Sequence, residues 1–374
     1  MFSSVWNFVK RHKRKIIFTG VLVGGALWLG KFAREKLDDF QEDESAEYLL
    51  QARKQHHFDS NQRTCNTTAL SMLPSLREVL MRHLDSESLT EQLRANPANK
   101  LELWEELKVI GFSRTVTAVY ISCVVVVVLR VQLNILGGYM YLDTLPKSDG
   151  ITDCTVATSS VQQQYLGTIQ CLLGKGELLD IADKTRSAVT VFNCSTSLKQ
   201  QMSLSTIQTM IGDIRRQLEC SPQTHYHQES PLSSLCQYVM STIAETGTPG
   251  GAVCLSHDEI IFQKLMKETQ DVLDSSDFHA VLRTCLDTAF SRIVDRIAEY
   301  FKPASQQNGT IFNPNDVEMP LAKVIPIMNG LLYTVCGNTP NPIVQELLLK
   351  EPLKKFAANI YEAFSQTEPA MTRS

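Results

Sequence analysis

Between Arg114 and Arg130 the chain runs without one charged side chain, through Thr115–Leu129 and the stretch Val124-Val-Val-Val-Val-Leu129. A segment this apolar must be hidden from water by protein or by lipid. The uncharged run is shorter than the roughly 18 residues that nominate a membrane span. Beyond Arg130 the pattern becomes mixed, with Gln132 and Asn134 among Val131, Leu133, Ile135 and Leu136. The favoured reading is therefore the central helix of a soluble core, and a second span is the alternative.

The remaining pattern supplies helices to surround such a core. Helical periodicity recurs in Ala69–Leu84, Lys100–Ile110, Val161–Leu173, Leu198–Leu218, Asp258–Leu273, Phe278–Phe301 and Ile343–Phe364. Glu35–Phe58 is rich in helix-compatible polar residues. Ser256-His-Asp-Glu259 is a capping-box start, and Pro74 predicts a helix start or a kink. Alternating strand patterns are scarce, so the fold class is all-α, a single elongated helical bundle. Three stretches read as loops: Thr144–Ser160, Ser221–Gly251 and Pro303–Met319.

The N-terminus carries a second constraint. Lys10-Arg11-His12-Lys13-Arg14-Lys15 runs into an uncharged apolar stretch from Ile16 to Gly30. Bulky and basic residues at Leu27-Trp28-Leu29-Gly30-Lys31 argue against signal cleavage. Extended to Ala33, with Lys31 and the basic block at the two interfaces, the helix reaches a workable spanning length. Segment 16–33 is thus predicted to be a retained transmembrane anchor, preceded by the basic segment 1–15.

Which side of the membrane holds the rest is left open by composition. The net charge of -4 argues against non-specific nucleic-acid binding. The 10 cysteines form no CxxC pair, which favours a reducing compartment. Against that, the basic N-terminus tends to stay in the cytosol, and Asn66-Thr-Thr, Asn193-Cys-Ser and Asn308-Gly-Thr are formal glycosylation sequons. A signal-anchored enzyme of the secretory lumen is accordingly the alternative function.

Catalytic signatures do not support that alternative. Leu173-Gly-Lys-Gly-Glu177 lacks the spacing of a P-loop, and no metalloprotease, hydrolase or kinase motif is present. Cys220, His225, His227, Cys236, Cys254 and His257 match no zinc spacing. His56-His57 reads as solvated. No cofactor, metal or small-molecule substrate is expected, and an enzyme is the weaker hypothesis.

One surface can be argued from spacing. On a helix over Asn99–Ile110, Leu103, Leu107 and Ile110 form an apolar stripe. Trp104 falls on its shoulder, four residues from Lys100 and from Lys108. An indole between two ammonium groups suits a partner helix with one apolar side and acidic margins. The alternative, which the pattern alone favours, is a core tryptophan edged by two lysines.

Longer stretches then carry a resemblance. Ser4-Val-Trp-Asn-Phe8, Phe58-Asp-Ser-Asn-Gln-Arg-Thr-Cys-Asn66, Asn99-Lys-Leu-Glu-Leu-Trp-Glu-Glu-Leu-Lys108, Leu129-Arg-Val-Gln-Leu-Asn-Ile135 and Phe356-Ala-Ala-Asn-Ile-Tyr-Glu-Ala-Phe-Ser365 resemble the peroxin-3 family of peroxisomal membrane biogenesis factors. The likeness spans nearly the whole chain and is weakest in the first two loops. It implies a single-pass peroxisomal membrane protein with its short N-terminus in the matrix, a helical cytosolic domain over 34–366 and a tail at 367–374. It further implies docking of peroxin-19, the soluble chaperone of membrane cargo, through that partner's N-terminal amphipathic helix. Carried over by position, the docking residues would be Leu93, Lys100, Trp104, Leu107, Lys108 and Asn134, with Trp104 exposed as the anchor. Peroxisomal membrane lipids are the other implied partner.

Overall fold

A computed structural model of the chain describes residues 42–145, 158–174, 176–193, 196–219, 256–302 and 313–366. The anchor at 16–33, the basic segment, the loop Ser221–Gly251, most of the other two loops and the tail lie outside the described residues. Within them the fold is all-α, as the periodicity implies. In chain order the helices are α1 (Glu42–His83), α2 (Ser86–Arg94), α3 (Lys100–Asp143), α4 (Ser159–Gly174), α5 (Gly176–Asn193), α6 (Leu204–Glu219), α7 (His257–Leu273), α8 (Ser276–Ala298), α9 (Leu321–Val335), α10 (Pro342–Leu349) and α11 (Glu351–Phe364).

Helix α3 is the axis of the structure. Lys100–Ile110 and Thr115–Leu129 fuse into one helix of 44 residues, about 66 Å long. Isolated, Val124–Val128 would form a poor helix, because β-branched side chains lose rotamer freedom against the preceding turn. Burial reverses that preference: α1, α2, α4, α5 and α7 to α11 all pack against α3. Among the described residues it is the one helix long and apolar enough to cross a membrane, yet its apolar window is 100% buried by protein. That makes it a core helix rather than a span.

The two arginines bracketing the apolar run are also inside, at 0% and 2% exposure. Arg114 donates to Glu87 on α2 and to Asn329 on α9. Arg130 donates to the side-chain oxygen of Asn66 on α1 at 2.5 Å. Each buried guanidinium thus meets protein acceptors through its terminal nitrogens, although its Nε has none, and each ties a neighbouring helix to α3. Further along, Gly137 and Gly138 permit close approach. A Cβ at Gly138 would lie 2.7 Å from the backbone of Phe364 on α11. Any side chain there would hold the two helices apart.

Several elements depart from the sequence expectation. The described part of Glu35–Phe58, from Glu42, and the expected helix Ala69–Leu84 join in one helix that ends at His83, with Pro74 in its interior. Its core stripe is Cys65, Ala69, Met72, Leu73, Leu76 and Leu80. The expected helix Ile343–Phe364 is two helices, because Pro352 in the first turn of α11 cannot donate to a preceding turn and Lys350 is extended. Helix α9 was masked in the sequence by Pro326, which occupies an exposed position. The expected helix Leu198–Leu218 begins only at Leu204.

The residues before Leu204 have another task. Gln201–Ser203 (β1) pairs antiparallel with Glu318–Pro320 (β2), with Met202 opposite Met319. The carbonyls of Leu198 and Gln200 accept from the amides of Ala322 and Leu321, at 3.0 and 2.9 Å. They satisfy the first donors of α9, whose N-cap Pro320 has no side chain able to do so. The Ser256 cap forms as the sequence indicates, accepting from Glu259 N at 3.3 Å.

Candidate protein-interaction surface

The corner between α2 and α3 is built from strong local signals. Asp85 caps α2 by accepting from Ser88 N at 3.0 Å and from the Ser88 hydroxyl. The Ser88 hydroxyl and amide hold the Asp85 carboxyl below its ordinary pKa. At the far end Ala95 closes α2, Asn96 takes φ 59, and Pro97 prevents continuation. Asparagine tolerates this left-handed geometry at a helix C-terminus. The chain then turns into α3 at Lys100.

Between these helices lies a small apolar layer of Leu84, Leu89, Leu103, Leu107, Ile110, Ala182 and Ile325. Leu93, Trp104 and Leu198 pack at its edge and stay partly exposed. Outside that layer the polar tie is Arg114. Its two terminal nitrogens reach Glu87 Oε1 and Oε2 at 3.0 and 2.9 Å, and one of them also reaches Ser86 Oγ. A two-pronged guanidinium–carboxylate pair fixes angle as well as distance.

The structure brings together only part of the residue set derived from the sequence. Leu93 and Trp104 are half-buried at the corner, and Lys100 is exposed. Trp104 is therefore neither the core residue of the pattern nor the freely exposed one implied by the resemblance. Leu107 belongs to the layer beneath, at 6% exposure. Lys108 is 1% exposed; its ammonium donates to Thr196 O at 2.9 Å and pairs with Glu105 at 2.5 Å. A helical wheel places Lys108 outward, but Thr196, beyond the end of α5, lies against it and the side chain is buried. Asn134 lies roughly 30 residues further along α3, about 45 Å away. It is fully buried and accepts from Gln62 at 2.7 Å and Asn61 at 3.2 Å. Lys108 and Asn134 thus do not reach this surface.

One residue of the corner escaped the sequence reading. Leu101, one turn before Trp104, is 68% exposed. It sits opposite the core stripe, where a leucine gains nothing from folding, and that position was its detectable signal. Acidic residues frame the same turn: Glu102 and Glu106 are exposed, and Glu106 pairs with Arg186 of α5 at 3.2 Å.

Other candidates resolve differently. Of the two adjacent histidines, His56 is exposed as expected, whereas His57 is half-buried: its Nδ1 lies 2.9 Å from the Tyr361 hydroxyl, and its ring lies tilted against those of Tyr141 and Tyr361. Burial, then the neighbouring His56, lowers its pKa. His257 is exposed on the first turn of α7, and the cysteines and other histidines of that group lie outside the described residues. Among the described residues no three His, Cys, Asp or Glu side chains gather as a metal site. Asn66 of the first sequon stands mid-helix with its side-chain oxygen held by Arg130.

Comparison with known proteins places these features in a family. The family profile described as Peroxin-3 matches residues 7–99 and 95–363. "Peroxisomal biogenesis factor 3" of Mus musculus is 50% identical over 368 residues, covering 98% of each chain. The Homo sapiens protein of the same name is 48% identical over 369 residues, with the same coverage. That of Debaryomyces hansenii is 24% identical over 427 residues, covering 97% of this chain and 99% of its own. This is a family of biogenesis factors and not a known enzyme family. The chain belongs to the peroxin-3 family of peroxisome biogenesis factors.

Proposed function

We propose that this protein is a membrane-anchored docking receptor for peroxin-19, acting without catalysis to bring membrane-protein cargo to the peroxisome. The observation that carries the reading is the α2–α3 corner. There an indole stands half out of a supported apolar layer, with Leu93 and Leu101 beside it and the Lys100 ammonium free in solvent. Large aromatics set in a well-packed rim are the usual anchors of protein interfaces. An amphipathic helix fits this shape, its apolar side on Trp104, Leu93 and Leu101 and an acidic margin toward Lys100.

Segment 16–33 holds the receptor in the membrane, with the short N-terminus in the matrix and the helical domain in the cytosol. The engaged side chain of Asn66 supports that orientation, since a glycan on its amide would compete with the tie to buried Arg130. The test is the affinity of full-length protein in detergent for the N-terminal helix of peroxin-19. Trp104→Ala is expected to weaken it by about 2–4 kcal/mol, ~30- to 1,000-fold. Unchanged affinity would remove Trp104 as the anchor and with it this surface.

A further inference from the structure

We infer that the Arg114–Glu87 pair is a positioning device that sets the separation of Leu93 and Trp104, and hence the shape that the partner helix meets. The inference rests on the docking reading above. Leu93 is on α2 and Trp104 on α3, and α2 is only 9 residues long. A helix so short has little stability of its own, so its place depends on what fastens it to α3. The turn at Ala95–Asn99 joins the two at one end only. At its other end α2 follows α1 after only Leu84 and Asp85, and its fastening to α3 there is Arg114, roughly ten residues beyond Trp104 along α3.

The geometry of that fastening is unusual in its asymmetry. The Arg114 side chain is 0% exposed, whereas Glu87 is 46% exposed. Arg114 is also held from behind by Asn329 Oδ1 of α9 at 3.0 Å. The guanidinium is thus a fixed post in the core, and Glu87 is the movable hook by which α2 hangs on it. Ser86 Oγ, one residue earlier, bonds to the same guanidinium nitrogen. Leu89 seats α2 on the apolar layer one turn later, and Leu93 follows at the next turn on the same face. Without Glu87, α2 is held on that side by the Ser86 bond and the Leu89 seat, and it can roll about its own axis between its two chain connections. Leu93 then moves while Trp104 and Lys100, both on α3, do not.

This gives a coupling signature that a merely stabilising ion pair lacks. In full-length protein, Glu87→Ala is expected to weaken binding of a labelled peptide bearing the peroxin-19 N-terminal helix by about 2- to 30-fold. Glu87→Gln, which keeps one acceptor for the guanidinium, should fall between Glu87→Ala and wild type. In double-mutant cycles, Glu87→Ala should be non-additive with Leu93→Ala, because the first variant already misplaces the leucine, and additive with Lys100→Ala. Unfolding midpoints measured alongside identify any variant that has lost the fold, in which case Glu87→Gln carries the cycle. Normal affinity of the Glu87 variants, or equal additivity with Leu93 and Lys100, would overturn the inference while leaving docking at Trp104 intact. If Trp104→Ala also bound normally, the docking reading itself would fall, and the positioning role with it.

Discussion

Replacing Gly138 by alanine should destabilise the fold, although alanine is the better helix former. A Cβ at this position would meet the carbonyl carbon and Cβ of Phe364 at 2.7 Å and its carbonyl oxygen at 2.9 Å. Carbons in ordinary contact sit no closer than ~3.5 Å, so α3 and α11 must part by roughly 0.8 Å. Backbone atoms cannot rotate away as a side-chain tip can, which puts the overpacking cost near the upper end, about 3 kcal/mol. Helix propensity returns about 1 kcal/mol. The net expectation is a loss of about 2 kcal/mol. Parting the helices also loosens the Tyr139–Phe364 ring pair, whose centroids lie 5.7 Å apart.

The same logic supplies internal controls of opposite sign. Gly167, Gly212 and Gly330 lie in α4, α6 and α9, and a Cβ at any of them meets nothing within 4 Å. Alanine at these sites should stabilise by about 0.5–1 kcal/mol each. Urea unfolding of the full-length chain in detergent, followed by far-UV circular dichroism, reads all four. A midpoint for Gly138→Ala at or above wild type would refute the close approach of α3 and α11. Control variants that destabilised equally would refute the argument from local space.

Four further outcomes follow from the same structure. Lys100→Glu should leave stability within about 0.5 kcal/mol and slow association with peroxin-19, as stopped-flow fluorescence at two salt concentrations would show. Lys108→Glu should instead cost about 3 kcal/mol or more of stability, because it places a charge against Thr196 O and Glu105 in a buried site. His57 and His279 both have pKa values lowered by burial, so their neutral forms suit the fold. Their contribution is constant above the ordinary value of 6.5 and declines below it, as the unfolded chain takes up protons first. Urea midpoints at about pH 7.5 and about pH 5.5 should differ less in a His57→Gln, His279→Gln variant. Finally, Cys65, Cys123, Cys285 and Cys336 are free and buried, and burial pushes the Cys65 thiol up to about 12. Peptide mapping after iodoacetamide treatment should find these four unlabelled until denaturant is added.

What the sequence revealed and what it concealed divide along a physical line. Thr115–Leu129 was legible as a core helix because Arg114 and Arg130 interrupt it at a length too short for lipid. The structure supplies the partners that make those arginines tolerable. Caps such as Ser256 were legible because their chemistry is local. Helix α9 was not, since Pro326 counts as a breaker in sequence and costs little on a solvent-facing side. The strand residues Gln201–Ser203 read as helix because their partners lie more than a hundred residues away, at Glu318–Pro320.

At the candidate surface the same division holds. A wheel drawn on α3 alone correctly puts Trp104 on the shoulder of the apolar stripe. It cannot know that Thr196 lies against Lys108, or that Asn134 faces Asn61 and Gln62 of α1. Leu101 was missed for the converse reason. Attention to the stripe that builds the core passes over a leucine pointing away from it.

The central claim, that Trp104 is the residue a visiting helix covers, can be read from the indole itself. The chain has 3 tryptophans, and replacing Trp6 and Trp28 by phenylalanine leaves Trp104 as the sole reporter. Titrating the peroxin-19 N-terminal helix into this variant should shift the emission to shorter wavelength and reduce quenching by acrylamide, in step with the anisotropy of the labelled peptide. Binding seen by anisotropy with Trp104 emission and quenching unchanged would contradict the account.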